Sequence, residues 1–208
     1  MNKNPEKDHP EATDQNSPIH LLKRLVQAMA KTTIKSLIVY GGPGTGKTRT
    51  VAETLREEGL VQNEGWFVIR GGVTPFAIYQ ILFKHRKGDI LVFKDIDSIW
   101  NNRKAVSMLK YALDDYDDGL LRSNYDKCIV RWDSTRTRDV FSMTQEGKEK
   151  YNEEVDEKIR ESSNDRRTVK LPSEFIFRGK AIFISNLPRR KFPPEILEIS
   201  SKIGLTPD

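Results

Sequence analysis

The stretch Leu37-Ile38-Val39-Tyr40-Gly41-Gly42-Pro43-Gly44-Thr45-Gly46-Lys47-Thr48 decides the fold of this chain. Its last eight residues fit the pattern G-x-x-x-x-G-K-[ST], and four apolar residues come directly before them. The helical stretch 51–55 follows, so the motif lies in the strand, loop and helix context that it requires. An ordinary Gly/Pro turn between a strand and a helix is the alternative, and this context argues against it.

Each residue type in the pattern has a physical role in holding phosphate. Glycines let successive backbone N–H groups converge on phosphate oxygens, because no Cβ stands in the way. Lys47 offers an ammonium to the terminal phosphates, Thr48 offers a hydroxyl to Mg²⁺, and the helix near Gly46 directs its positive end at the ligand. We therefore predict a site for ATP with Mg²⁺. The expected binding residues are Gly41, Gly42, Pro43, Gly44, Thr45, Gly46, Lys47, Thr48 and Arg49.

Composition limits the other possibilities. The 208 residues suit one sizeable domain, or such a domain with a small appendage. Lys and Arg total 35 against 30 Asp and Glu, and the net charge of +5 permits binding to a polyanion without requiring it. The single cysteine, Cys128, excludes an internal disulfide framework. No apolar run is long enough to cross a membrane or to act as a signal peptide, so we expect a cytoplasmic protein.

The pattern along the chain predicts an α/β fold, with a parallel sheet and helices on both faces. Residues 1–17 form a polar tail and 18–208 one domain. A helix is expected from Ile19 to Ala30. Apolar runs predict strands at 36–40, 66–69, 90–93 and 181–184, with helices between them. A charged insert occupies about 114–180.

Two further motifs support a family resemblance. The third strand ends in Phe93-Lys94-Asp95-Ile96-Asp97-Ser98, and the fourth ends in Ser185-Asn186. With the phosphate loop, these residues resemble AAA+ ATPases over about residues 34–198. The resemblance implies an αβα core and two catalytic residues: Asp95, which polarises the attacking water, and Asn186, which helps to place it. It also implies that Thr48 and Asp95 serve the metal ion.

Lys94 departs from the family pattern, because a first carboxylate belongs at its position. Three interpretations are open. The motif is shifted by one residue, so that Asp95 serves the metal and Asp97 helps; the ammonium displaces Mg²⁺; or Lys94 faces solvent at a strand end. The sequence Ile96-Asp97-Ser98 fixes the register and favours the second, because protonated lysine has no acceptor for a metal. We therefore expect nucleotide binding with impaired hydrolysis. Asp97 and Ser98 could equally cap the following helix.

Two other family features are altered. The segment Pro194-Glu195-Ile196-Leu197 matches the one that usually precedes an arginine finger, but residues 198–202 contain no arginine. The chain ends at Asp208, with no room for the family's helical lid. We therefore expect an AAA+ core without that lid.

The insert carries a pattern that points to DNA. Residues 128–132 predict a short strand, and Phe175 and Phe177, two residues apart between Glu174 and Arg178, suggest a hairpin edge. DNA helicases and loaders among the AAA+ proteins insert a hairpin here, and Arg131, Arg136 and Arg138 would supply its cations beside the stacking surface of Trp132. A decorated surface loop, whose acids neutralise its bases, is the alternative.

These features together predict the ATP-binding core of a DNA-associated machine of replication, helicase or loader type. We expect it to be a homo- or hetero-oligomer of viral or mobile-element character. A non-hydrolysing, ATP-dependent binding subunit is one alternative. A superfamily-three-like viral helicase is another, although its additional motif is not recognisable here. A small-molecule kinase would have no use for the Asn-terminated strand or the long insert.

Overall fold

Strands and helices alternate through the described part of the chain. The computed structural model describes residues 17–32, 34–114, 128–132 and 171–205, with Glu153 and Glu157 as two further positions. The helices are α1 Pro18–Lys31, α2 Lys47–Glu57, α3 Pro75–Lys84, α4 Arg103–Leu113 and α5 Pro194–Ile199. The strands are β1 Ser36–Gly41, β2 Trp66–Arg70, β3 Ile90–Lys94, β4 Ile129–Arg131, β5 Glu174–Ile176, β6 Lys180–Ser185 and β7 Ser201–Leu205. Short 3₁₀ turns cover Asp97–Asn101 and Arg189–Lys191.

Five of these strands form one parallel sheet in the order β2-β3-β6-β1-β7. The strand that leads into the phosphate loop, β1, is therefore flanked by β6 and β7. Strand β6 also separates β1 from β3. Because the carboxyl ends of parallel strands meet at one edge, the residues after β1, β3 and β6 are brought together there.

The sheet has a hydrophobic core on each face, because successive strand residues point to opposite sides. Leu37 and Val39 of β1 are buried in one core with Leu22 of α1 and Leu55 of α2. Ile38 is buried in the other core with residues of α3, α4 and α5. This arrangement confirms the predicted α/β fold with helices on both faces. No helix in the described part of the chain is long and apolar enough to cross a membrane.

A second, two-stranded sheet borders the core on the α3 and α4 side. Strands β4 and β5 pair antiparallel, with Val130 opposite Phe175. Phe175 is fully buried, and its ring lies 5.1 Å from that of Tyr79 and 5.2 Å from that of Phe83. The predicted strand within 128–132 and the predicted strand before β6 are confirmed. Residues 115–127, 133–152, 154–156 and 158–170 of the predicted insert lie outside the described residues.

Strand β7 was not predicted from the sequence. It pairs parallel with β1, so that Leu37 is opposite Ser201 and Gly41 is opposite Leu205. A buried hydrogen bond of 2.6 Å joins the hydroxyls of Ser36 and Ser200 where the two strands begin. The segment 198–202, which contains no arginine, contributes its last two residues to this edge strand of the main sheet.

Two helix starts differ from expectation. Ser17, assigned above to the tail, is the N-cap of α1 and accepts a hydrogen bond from the N–H of His20 at 3.3 Å. The proposed capping of α4 by Asp97 or Ser98 is wrong. Asn102 caps it, because a 3₁₀ turn follows β3 and delays the start of the helix, and its Oδ1 accepts from two backbone N–H groups at 3.1 and 3.2 Å.

Candidate nucleotide-binding site

The phosphate loop joins the carboxyl end of β1 to the first turn of α2. Gly46 is the N-cap of α2, and no side chain in the described residues caps its first N–H groups. Gly44 has a φ of +79°, and a Cβ built there would meet no described atom within 4 Å. The Thr45 hydroxyl donates to the Gly42 carbonyl at 3.0 Å and stabilises the turn. The loop therefore presents backbone and open space where a phosphate would bind.

Lys47 lies at the centre of this site and is only 6% exposed. Its ammonium donates to the carbonyls of Gly41 at 2.8 Å and Gly42 at 2.6 Å. It also donates to Asn186 Oδ1 at 3.0 Å. Burial lowers the pKa of Lys47 from its usual 10.5; the Asp95 carboxylate opposes this effect, and the Lys94 ammonium adds to it. Lys47 therefore already contacts both the loop and the end of β6.

Asn186 connects Lys47 to the acidic motif. Its Nδ2 donates to Asp95 Oδ1 at 3.4 Å, while its Oδ1 accepts from Lys47. This contact follows from the sheet order, because β6 lies between β1 and β3. The structure thus brings together three residues that the sequence analysis selected from separate motifs.

Asp95 follows β3 in an unusual backbone conformation. Its φ is +55°, in the left-handed region that few residues other than glycine adopt, although Asp and Asn do so more readily than most. Its side chain is 51% exposed, and Oδ2 lies 3.7 Å from the Lys94 ammonium. The Asp95 carboxylate is therefore half exposed at the edge of the sheet where the phosphate loop lies, and it also contacts Asn186.

Asp97 has a different environment from Asp95. Its Oδ1 accepts a hydrogen bond from the Ser185 hydroxyl at 2.6 Å. The same hydroxyl oxygen accepts from the N–H of Leu187 at 2.9 Å. Asp97 therefore ties the turn after β3 to the turn after β6, which holds Asn186 in place. The sequence predicts Asp97 as a helix cap or as a helper of Asp95 in a shifted motif, and it gives no sign of this contact with Ser185.

Thr48 and Arg49 lie in the first turn of α2 behind the loop. Thr48 is half-buried. Arg49 is 82% exposed, and its Nε lies 2.7 Å from Glu53 Oε1 on the next turn of the helix. The predicted role of Arg49 in nucleotide binding would require this exposed pair to separate, and it stays a prediction.

The predicted Mg²⁺ site draws on one residue of the phosphate loop's helix and one of the acidic motif. Among the described residues, no group of three or more His, Cys, Asp or Glu side chains could hold a metal ion. The predicted ligands Thr48 and Asp95 are present, but Asp95 is paired with the Lys94 ammonium. An ammonium supplies only donors, so it cannot complete a metal shell. The assignment of Mg²⁺ to Thr48 and Asp95 stays a prediction.

The predicted DNA-contacting residues are only partly described. Arg131 donates from Nε to Glu174 Oε2 at 2.9 Å, and that carboxylate is buried. Trp132 is 42% exposed and lies against Phe76, with ring centroids 5.1 Å apart. Arg136 and Arg138 lie outside the described residues. Arg131 therefore has a structural ion pair between β4 and β5 in addition to any role in binding DNA.

No family model matches the chain. A curated relative is an uncharacterized 36.7 kDa protein from the nrdC-mobD intergenic region of Enterobacteria phage T4, which is 24% identical over 100 residues. The match covers 48% of this chain and only 30% of that protein.

Two mutant forms of RuvB from Thermotoga maritima are similar among solved structures. They align over 91% and 92% of this chain and over 43% and 44% of their own, with 14% identity and TM-scores of 0.46 and 0.47. These low values carry no argument about activity. Fold and loop together define an α/β protein with a phosphate loop at the carboxyl edge of a parallel sheet.

Proposed function

We propose that this chain is an ATP-binding AAA+ core in which Lys47, Asn186 and Asp95 form the nucleotide site. The observation that carries the proposal is the Asn186 amide, which accepts from the lysine of the phosphate loop and donates to the acid of the neighbouring motif. An ordinary Gly/Pro turn between a strand and a helix would need neither the contact with Lys47 nor the contact with Asp95. In this proposal Lys47 binds the terminal phosphates, and Asp95 and Asn186 orient the attacking water.

We further propose that hydrolysis is slow. The support is Lys94, whose ammonium lies 3.7 Å from Asp95 Oδ2. Phosphoryl transfer depends on positioning and on neutralising the charge that spreads over the transferred group. An ammonium at the position of the first carboxylate cannot ligate the metal ion that would neutralise this charge, and Lys94 cannot accept a proton while charged.

Binding is tested by titration calorimetry with ATP. Lys47→Ala is expected to weaken binding by about 10- to 100-fold, because a hydrogen bond to a charged group contributes ~1.5–3 kcal/mol. Lys84→Ala is the matched control, since Lys84 is exposed near the end of α3, where the chain turns toward the amino end of β3. Equal affinity in the Lys47 variant and the control would refute the assigned site.

Turnover is tested by phosphate release with Mg²⁺ present. We expect little release by the unmodified chain and a higher rate for Lys94→Asp, which restores a carboxylate to the motif. Asp95→Asn, introduced into the Lys94→Asp background, is expected to abolish that gain. Brisk turnover by the unmodified chain that disappears in Asp95→Asn alone would indicate that Asp95 serves the metal, and that the motif is shifted by one residue.

We also propose, from the family resemblance, that this core works in an oligomeric machine associated with DNA and of phage type. The net charge of +5 and the exposed ring of Trp132 are compatible with a nucleic-acid partner. Light scattering after size exclusion, with and without ATP, tests the assembly. A monomer under both conditions would leave a single-subunit binding module as the better description.

A further inference from the structure

Two lysine ammonium groups face the same small region of the sheet edge. Lys94, the last residue of β3, is in register with Ile184, two residues before Asn186. Its Nζ lies 3.7 Å from Asp95, Asp95 contacts Asn186, and Asn186 contacts Lys47. The two ammonium groups are thus linked through only two intervening side chains.

The charge at this edge can be compared with that of a site built for a metal. In phosphate-loop proteins Mg²⁺ is held by the loop Ser or Thr and by an aspartate from a neighbouring strand. An ammonium in place of that carboxylate makes the site more positive by two units, which is the charge of Mg²⁺ itself. Within the described motifs, the two lysines are balanced by Asp95 and Asp97, and Asp97 is engaged by Ser185.

Lys94 is also free enough to move toward a ligand. Its side chain is 31% exposed, and its partner Asp95 is 51% exposed. An ion pair of this exposure is held by at most ~1 kcal/mol, so a more highly charged anion can replace the carboxylate as its partner. A flexible four-carbon stem with three donors suits a triphosphate, which offers acceptors in several directions.

We propose that Lys94 and Lys47 together bind the triphosphate of a metal-free nucleoside triphosphate, so that binding does not require a divalent cation. This proposal rests on the proposed function, since it uses the same phosphate loop. It gives Lys94 a role in binding ATP. The other two interpretations, a shifted motif and a solvent-facing residue, give it no such role.

The experiment measures ATP affinity by calorimetry, once with Mg²⁺ and once with EDTA in excess. For the unmodified chain, the ATP affinity in Mg²⁺ and the ATP affinity in EDTA are expected to agree within about threefold. Lys94→Asp is expected to bind ATP with Mg²⁺ but to bind about 10- to 100-fold more weakly in EDTA, because a carboxylate then faces the bare triphosphate. Lys94→Gln, which removes the charge but keeps a polar side chain one bond shorter, is expected to lose affinity in EDTA to a smaller extent.

Lys84→Asp is the control for the change in net charge, because it removes the same two units at an exposed position on α3. It should behave as the unmodified chain in both buffers. Thermal unfolding of each variant verifies that it is folded. A weakening of more than about tenfold on chelation in the unmodified chain would overturn the proposal while leaving the nucleotide site intact. An absence of ATP binding in both buffers would instead overturn the proposed function, and this inference with it.

Discussion

Two glycines of the phosphate loop offer a sharp test of the contact between β1 and β7. Gly41 and Gly44 both have positive φ values, +142° and +79°. A Cβ built on Gly41 would lie 1.8 Å from the carbonyl oxygen of Leu205 in β7 and 2.7 Å from its carbonyl carbon. A Cβ on Gly44 would meet no described atom within 4 Å. Gly44→Ala therefore tests backbone strain alone, whereas Gly41→Ala adds a collision with the edge strand β7.

The two substitutions should lower the free energy of unfolding by different amounts. Gly44→Ala should lower the free energy of unfolding by ~1–2 kcal/mol, the cost of a left-handed conformation for a residue with a Cβ. Gly41→Ala carries a strain of ~1–3 kcal/mol in a region that is almost exclusive to glycine. It adds ~1–3 kcal/mol for overpacking, because the obstructing atoms belong to backbone and cannot rotate away. Reduced entropy of the unfolded chain offsets both variants by a similar ~0.4–1 kcal/mol.

Urea unfolding followed by circular dichroism, without nucleotide, measures the difference. We expect Gly41→Ala to be less stable than Gly44→Ala by ~2.5 kcal/mol, the difference between mid-range costs of ~4 and ~1.5 kcal/mol, with β7 displaced from its pairing with β1. Omitting ATP matters, because both changes lie in the binding loop and ligand would add its own stabilisation. Equal stabilities within ~0.5 kcal/mol would mean that β7 is not packed against Gly41 as described.

The remaining predictions concern charged side chains. Lys180 donates to two carbonyls at the end of α1, at 2.5 and 2.7 Å, so Lys180→Met should cost ~1–2 kcal/mol in urea unfolding. Burial lowers the pKa of Lys180 in the folded state below 10.5, the value of the unfolded chain. Between these two pKa values the unfolded chain binds more protons than the folded one. The free energy of unfolding should therefore rise with pH in this window, and less steeply in Lys180→Met. Glu174→Gln should cost ~1–3 kcal/mol by weakening the pair with the partly exposed Arg131, again measured by unfolding. Alanine at Arg136 and Arg138, with Arg131 retained for stability, should reduce the salt dependence of DNA binding by about one unit for each phosphate that is no longer neutralised, and an unchanged slope would exclude them.

The parts of the fold that could be predicted are those with strong local signals. Strands β1, β2, β3 and β6 were each located within a residue at either end, because runs of four apolar residues are typical of strands buried on both faces. The start of α3 was equally clear, since Thr74 precedes Pro75 and its hydroxyl accepts from the N–H of Ala77. In each case the information lies within a few neighbouring residues.

The parts that could not be predicted depend on distant partners. Strand β7 contains Lys202 and Gly204, so its apolar residues do not form a run, and it becomes a strand only by pairing with β1. The sequence favoured Asp97 or Ser98 as the cap of α4, but the 3₁₀ turn after β3 delays the start of the helix and makes Asn102 the cap. The site itself shows the same dependence, since Asn186 lies 139 residues from Lys47 and reaches it only through the strand order.

The two proposals for Lys94 can be judged together, because one substitution should change two quantities in opposite directions. An ammonium beside Asp95 hinders hydrolysis and supplies charge for binding the triphosphate. Lys94→Asp should therefore raise turnover in Mg²⁺ and lower ATP affinity in EDTA. A solvent-facing lysine at a strand end would change neither, and a shifted motif would leave turnover unaffected because Asp95 already serves the metal. Only a Lys94 that acts on the phosphates themselves gives both changes, so the pair of measurements discriminates among the three interpretations where either alone would not.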